Sequence, residues 1–272
     1  MTPDQFRAAL AGDDTLLMGV VNVTPDSFSD GGRYYELADA VAHGMRLLAE
    51  GADIVDVGGE STRPGAAPVA ADEELRRVLP VVRDLAAAGA AVSIDTRHAE
   101  VAEAALAAGA CLLNDVSGLR DAAMRRAAAA HGVPVVVMHM PVDDPAVMQQ
   151  HTSYVDVVDA VVAFLREQAA LALAEGVPSV IVDPGFGFGK TVEQNLQLVR
   201  RLHDVVNLGY PVLVGASRKR FIGVLSGVTA PEERLGGTLA VHLACVQRGA
   251  RVVRVHDVAA HRQALAVWGH VS

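Results

Sequence analysis

One short unit recurs seven times along the chain, and it fixes what the chain can fold into. Each copy passes from a helix-like stretch through a glycine into a run of Val, Ile and Leu, then stops on a polar or charged residue. The glycines are Gly51, Gly89, Gly109, Gly132, Gly176, Gly209 and Gly249. The runs after them are ADIVDV, AAVSID, ACLLND, VPVVVM, VPSVIVD, YPVLVG and ARVVRV. An earlier run, LLMGVVNV at 16–23, brings the strand count to eight.

Glycine suits the position just past a helix end because it accepts the left-handed backbone that stops the helix. Short β-branched runs that are apolar on both faces read as parallel strands covered by helices. Strands alternating with helices imply βαβ units. Eight such units in 272 residues predict an α/β fold, a closed (β/α)8 barrel of one domain, for which about 250 residues is the usual size. An open doubly wound sheet competes with it, but eight evenly used strands leave no obvious edge strand. Residues 1–14 are expected as an N-terminal segment, a short helix or a loose end, and 15–272 as the barrel.

The intervening segments carry helical stripes. Leu37, Val41, Met45 and Leu48 form one; Val158, Val161, Val162 and Leu165 form another, with Thr152 or Ser153 as its expected cap. Val101, Ala105, Leu106 and Ala108 line a third. The alanine runs 86–88 and 127–130 read as helix. No apolar stretch reaches the ~18 residues that span a membrane, and the first residues carry no secretory pattern. Cys111 and Cys245 are expected as small core residues, which fits a cytoplasmic protein. A net charge of −9 argues against nucleic acid and anionic membrane as partners.

Two apparent motifs fail on spacing. DPGFGFGKT (183–191) resembles a phosphate loop, but counting back from Gly189 puts Pro184 where that loop needs glycine. A dinucleotide fingerprint starting at Gly185 needs glycine where Lys190 stands. The histidines show no zinc spacing, and His43, His98, His131, His203 and His261 are expected on solvated helix surfaces.

Barrel active sites lie where strands end. The exits read Asn22; Glu60, Ser61, Thr62 and Arg63; Asp95; Asn114; Met138 and His139; Asp183; Ser217, Arg218 and Lys219; and Arg254 with His256. Acids, amides, cations and an imidazole converge there, a richer set than a merely polar rim needs. Arg254 and His256, two apart on one strand, point the same way. An inward arginine needs an anion, either a phosphate group or a structural partner in Asp56 or Asp257. The long loops 24–35 and 58–72 read as lids or binding loops, with the glycine pairs 31–32 and 58–59 as hinges.

These residues also carry a resemblance. NVTPDSFSDGG (22–32), DVGGESTRPG (56–65), SIDT (93–96), NDVSG (114–118), DPGFGFGK (183–190), SRKRF (217–221) and RVHDV (254–258) resemble, in order and over nearly the full chain, the dihydropteroate synthases of folate biosynthesis. The resemblance implies a transferase that joins 6-hydroxymethyl-7,8-dihydropterin pyrophosphate to p-aminobenzoate, releasing pyrophosphate, with Mg²⁺ as cofactor. It assigns the pterin to Asp95, Asn114, Met138, Asp183 and Lys219. It assigns the pyrophosphate to Asn22, Arg254 and His256, with Asn22 near the metal. The p-aminobenzoate falls to Phe28, Thr62, Arg63, Pro64, Phe188 and Ser217, and Asp30 faces the reacting centre and can pair with Arg63. It further implies an SN1-like route, competition by sulfonamides and a homodimer. The intact STRPG and SRK motifs argue against an inactive relative. A methyltetrahydrofolate-binding methyltransferase of the same barrel is the alternative; it would use Asp95, Asn114 and Asp183 but has no need of STRPG, Arg254 or His256. A Schiff-base aldolase using Lys219 is a third reading, weakened by the polar loop around that lysine.

Overall fold

A computed structural model describes residues 3–24, 33–61 and 68–271. Eight parallel strands close on themselves in chain order. They are β1 (Leu16–Asn22), β2 (Ile54–Gly58), β3 (Val92–Asp95), β4 (Leu112–Asp115), β5 (Val135–Met138), β6 (Val180–Asp183), β7 (Val212–Val214) and β8 (Ala250–Val255). β8 pairs back onto β1, so the barrel has no edge and the open sheet is excluded.

All seven unit glycines have positive φ, between 62° and 111°. Most strands nevertheless begin two or three residues later than the apolar runs suggest. The residue after the glycine is still closing the helix: the amides of Ala52, Ala90, Ala110, Val133 and Val177 each donate to a carbonyl five residues back, at 2.9–3.2 Å. That bond belongs to the helix stop, and the ladder starts only beyond it.

Along each strand alternate side chains face the barrel interior. Leu16, Met18, Ile54, Leu112, Val136, Ile181, Leu213 and Val252 form an apolar plug there, and Phe6 of helix α1 (Pro3–Leu10) caps it from below. Two residues further along, the same inward positions carry Asp56, Asn114, Met138, Asp183 and Arg254; Asn22 lies four beyond Met18. The rim set is thus the upper layer of the interior, lifted one pleat above a dry plug that fixes its depth. Val55, Val57, Ile94, Leu113, Val135, Val137, Val182 and Val253 face outward and pack beneath the helices.

The helical stripes hold with two adjustments. On α2 (Arg33–Ala49) Met45 is 42% exposed, and Ala40, Gly44 and Leu47 are buried instead. At Gly44 a Cβ would press on Leu85, so glycine lets α2 approach α3 (Ala71–Ala87) closely. On α6 (Val157–Ala174) the cap is Asp156, not Thr152 or Ser153: its carboxylate accepts from Val158 and Asp159 amides at 2.8 and 3.0 Å. The stripe of α4 (Ala99–Ala107) is buried at Val101, Ala105 and Leu106. Cys111 and Cys245 are both buried and unpaired. Among the described residues no helix is long and apolar enough to cross a membrane.

Gly58 and Gly59 do not form the expected hinge. Gly58 is paired to both Asn22 and Asp95 in the ladder. A Cβ on Gly59 would collide with Val78 and Glu74 of α3. These glycines permit close packing. The pair 31–32 lies outside the described residues.

Candidate active site

Four inward residues from four strands meet at the rim. Arg254 donates from Nε to Asp56 Oδ2 at 2.6 Å and from Nη2 to Asp95 Oδ2 at 2.7 Å. Asn114 Nδ2 donates to the same Asp56 oxygen at 3.0 Å. The anion that Arg254 requires is therefore supplied first by the protein. Of the two structural partners considered, Asp56 is the one used, and Asp257 pairs with Arg218 at 2.6 Å.

One guanidinium serving two carboxylates leaves an excess negative charge. Burial pushes Asp95 up to about 7; Asp56 beside it pushes the same way, and Arg254 opposes. Asp183 is pushed up to about 6 by burial, opposed by the Gly185 amide and by the charges of Lys219, Lys190 and Arg254. Burial alone would lower Arg254, but the two acids hold it above its ordinary range. The second Asp56 oxygen, Oδ1, is buried without a partner.

The β6 exit builds the opposite wall. Asp183 Oδ1 accepts the Gly185 amide at 2.7 Å, which turns the chain inward. Phe188 is buried with Val116, Met138, Met140 and Met148. The Lys219 ammonium stands 4.1 Å from the Phe188 ring centre, a cation–π contact. The lysine stem lies over Gly187, where a Cβ would approach it to 3.1 Å. This wall offers a carboxylate, an ammonium and an apolar floor, as a flat polar heterocycle requires.

At the β7 and β8 exits Ser217 Oγ and His256 Nδ1 are 2.9 Å apart, and the His256 amide donates to the same hydroxyl at 3.3 Å. His256 lies one residue past β8 and turns toward Ser217, so it does not simply continue the Arg254 face. Burial and the nearby Arg254 lower it to about 3, which leaves the ring neutral.

Phe28, Asp30, Thr62, Arg63 and Pro64 lie outside the described residues. The base of the second loop is described. Glu60 accepts the Arg97 fork at 3.0 and 3.1 Å and the Val69 amide at 3.2 Å, joining the two ends of the segment that carries Thr62, Arg63 and Pro64. Glu60, Glu74 and His98 also present their ligand atoms within 4.8 Å of one another. Arg97 and Val69 already occupy both Glu60 oxygens, so this cluster is an ion-paired brace.

Two groups escaped the sequence reading. Asp56 entered only as a partner for Arg254, yet it is the hub of the rim; its inward position two residues after Ile54 was the available signal. Lys190, dismissed with the failed phosphate loop, is buried and rings its ammonium with the carbonyls of Gly185, Phe188 and His139 at 2.9, 2.9 and 3.3 Å, and with His139 Nδ1 at 3.1 Å. Burial lowers Lys190 to about 7 and His139 to about 2. The neutral His139 ring accepts, and the three carbonyls favour the ammonium form. Lys190→Met strips the ammonium donor from those carbonyls, of which Gly185 alone keeps another, the Phe188 amide, and should destabilise the protein by about 3 kcal/mol in a urea titration. A variant as stable as the parent would show that water replaces the ammonium.

A closed barrel whose mouth sets acids, an amide and a lysine around an apolar floor defines an enzyme for a polar heterocycle, and the chain belongs to the pterin-binding enzyme family, whose pattern matches residues 18–256. Within that family it falls among the dihydropteroate synthases, which are transferases. It is 46% identical over 268 residues to the dihydropteroate synthase of Neisseria meningitidis serogroup C, covering 96% of this chain and 94% of that protein. It is 47% identical over 248 residues to a probable bifunctional folylpolyglutamate synthase/dihydropteroate synthase of Haloferax volcanii, covering 90% of this chain but only 29% of that protein. The crystal structure of the Thermus thermophilus dihydropteroate synthase in complex with 4-aminobenzoate superposes with a TM-score of 0.88, at 55% identity over 96% of this chain and 95% of that one.

Proposed function

We propose that this chain condenses 6-hydroxymethyl-7,8-dihydropterin pyrophosphate with p-aminobenzoate, giving 7,8-dihydropteroate and pyrophosphate, by breaking the carbon–oxygen bond before the amine attacks. The observation that carries the reading is the Arg254 fork between Asp56 and Asp95, one cation balanced by a buried and a half-buried acid at the barrel mouth.

In this reading Asp183 accepts from the guanidine-like edge of the pterin, Asn114 donates and accepts beside it, and Lys219 donates to the ring carbonyl. Met138 supplies the floor. As the bond to the diphosphate stretches, positive charge grows on the pterin and negative charge on the leaving group. Asp95 and Asp183 face the first; Arg254 and His256 face the second. Asn22 would offer an oxygen to Mg²⁺, whose charge would neutralise the departing diphosphate, and the buried Asp56 on the neighbouring strand adds negative charge beneath it. Phe28, Thr62, Arg63, Pro64, Phe188 and Ser217 serve the p-aminobenzoate side, and Asp30 serves the reacting centre. The aniline nitrogen is nucleophilic enough to need no strong base. The enzyme works in the cytoplasm as a homodimer joined away from the mouth.

The test is a coupled assay of pyrophosphate release with and without p-aminobenzoate. Sustained, multiple-turnover release that depends on the amine and matches dihydropteroate formed supports the proposal. Methyl transfer from methyltetrahydrofolate to a corrinoid, without pyrophosphate release, would favour the methyltransferase alternative. Arg63→Ala should raise the Michaelis constant for p-aminobenzoate by about tenfold while sparing affinity for the pterin pyrophosphate; unchanged kinetics toward p-aminobenzoate would remove Arg63 from that site. Sulfonamides should compete with p-aminobenzoate in initial-rate assays, and noncompetitive or absent inhibition would contradict a shared pocket.

A further inference from the structure

β7 is the least constrained strand of the barrel. It has three residues, a single register pair to β6 (Val182↔Val212), and a register shift against β8. Yet its exit carries Ser217 and Lys219, which must stand at a fixed distance from Arg254 and His256 on β8. Its ladder to β8 has three register pairs interrupted by a shift between Val212 and Leu213, so the spacing of the two exits calls for ties beyond the strands.

Beside the Ser217–His256 contact, a line of buried histidines supplies one. The amide of Ala216, two residues past β7, lies 3.0 Å from His242 Nε2. His242 Nδ1 lies 2.9 Å from His261 Nε2, and His261 Nδ1 lies 2.7 Å from the carbonyl oxygen of Asp257, just past β8. His242 belongs to helix α10 (Leu235–Val246) and His261 to α11 (Val258–Val271); they are 1% and 2% exposed. His261 is therefore not the solvated surface residue the sequence suggested.

The ends of this line settle where its protons sit. A backbone amide only donates, so His242 Nε2 must accept. His242, neutral, carries its proton on Nδ1 and donates to His261 Nε2. His261 then carries its own proton on Nδ1 and donates to a carbonyl, which only accepts. Burial lowers both rings' affinity for a second proton, in keeping with this single arrangement. The Arg218 side chain closes the circuit, gripping the Asp257 carboxylate at 3.1 and 2.6 Å, while the Arg218 amide donates to Thr238 Oγ1 of α10 at 3.1 Å. β7 exit, α10, α11 and β8 exit form one ring.

We propose that His242 and His261 are positioning residues that hold the β7 and β8 exits in register and so set Lys219 against His256 and Arg254. The pair touches no substrate. A buried polar pair is costly to keep, and two apolar side chains would fill the same space at lower cost. What they would not supply is a fixed direction at Ala216. The inference rests on the proposed function, because it takes Lys219, Arg254 and His256 to be the groups held.

The experiment measures the full-length parent and the variants His242→Leu, His242→Gln and His261→Leu by steady-state assay and thermal melting. Both leucine variants should lose about tenfold or more in turnover when assayed well below their melting temperatures, a loss larger than the unpaired buried donor's effect on stability accounts for. His242→Gln, whose amide oxygen can accept from Ala216, should recover most of the loss. Long-range ¹⁵N–¹H spectra of histidine-labelled parent should show both rings as the neutral Nδ1–H tautomer, a reading that needs no variant to fold. Leucine variants within about twofold of the parent's turnover, losses that only track the melting temperature, or an Nε2–H ring at His242 would each overturn the proposal. A parent that releases no pyrophosphate would instead count against the proposed function, and the tautomers would still report on the ring.

Discussion

Asp95→Asn should lower turnover by about three orders of magnitude while weakening pterin binding far less. The carboxylate sits at the exit of β3, where positive charge develops on the pterin as the diphosphate leaves. A charge pair at ~4 Å in an effective dielectric near 20 is worth roughly 4 kcal/mol. Where the interaction exists only in the transition state, that energy appears as about three decades of rate. Asparagine keeps the shape and one hydrogen-bonding oxygen but loses the charge. The pH profile separates this from a binding role. Burial holds Asp95 near 7, so it is protonated below that pH and the parent's kcat/KM should fall as the pH drops through about 7. The asparagine variant should lack that limb and retain one nearer 6 from Asp183. Equal losses in turnover and pterin affinity would reduce Asp95 to a binding residue.

Arg254→Met should cost at least as much activity, about three decades or more, and should also weaken the fold. Removing one partner of a buried ion pair costs about 3–5 kcal/mol, because the other charge is left unpaired. Here two acids are left, Asp56 and Asp95, both within 2.7 Å of the arginine in the parent. Asp95 can escape the cost by taking up a proton, so its folded-state pKa rises further above the unfolded value. The native state then holds more protons than the unfolded chain, and stability falls as pH rises through the new pKa. Melting curves should show the methionine variant gaining stability between pH 8 and pH 6 by more than the parent does. A variant whose stability matches the parent's across that range would mean that water replaces the guanidinium, and the excess negative charge inferred for the rim would be wrong.

How far the sequence reaches is clearest residue by residue. The closed barrel, the strand order and the exits of Asn22, Asp95, Asn114, Met138, Asp183 and Arg254 follow from a repeat of period-two and glycine signals that local chemistry enforces. Strand starts do not, because a helix stop and a strand entry share the same apolar letters at Ala52 or Val133. The exposed Met45 and the buried His261 show a second limit: a stripe gives the face of a helix only to within a residue, and a histidine's burial depends on a partner from another helix. Lys190 shows a third. Its role is to satisfy three carbonyls that exist only once the loop has turned, and carbonyls leave no mark in a sequence.

The claim on which all of this depends is that opposite charges separate at the barrel mouth before the new bond forms. Dideuteration of the pterin's exocyclic methylene tests it most directly, with pyrophosphate release followed at saturating p-aminobenzoate. A secondary isotope effect clearly above unity is predicted, since that carbon flattens toward a cation in the transition state. An effect at unity would place the amine's attack together with bond breaking and would contradict the assignment of Asp95 and Asp183 to a pterin cation.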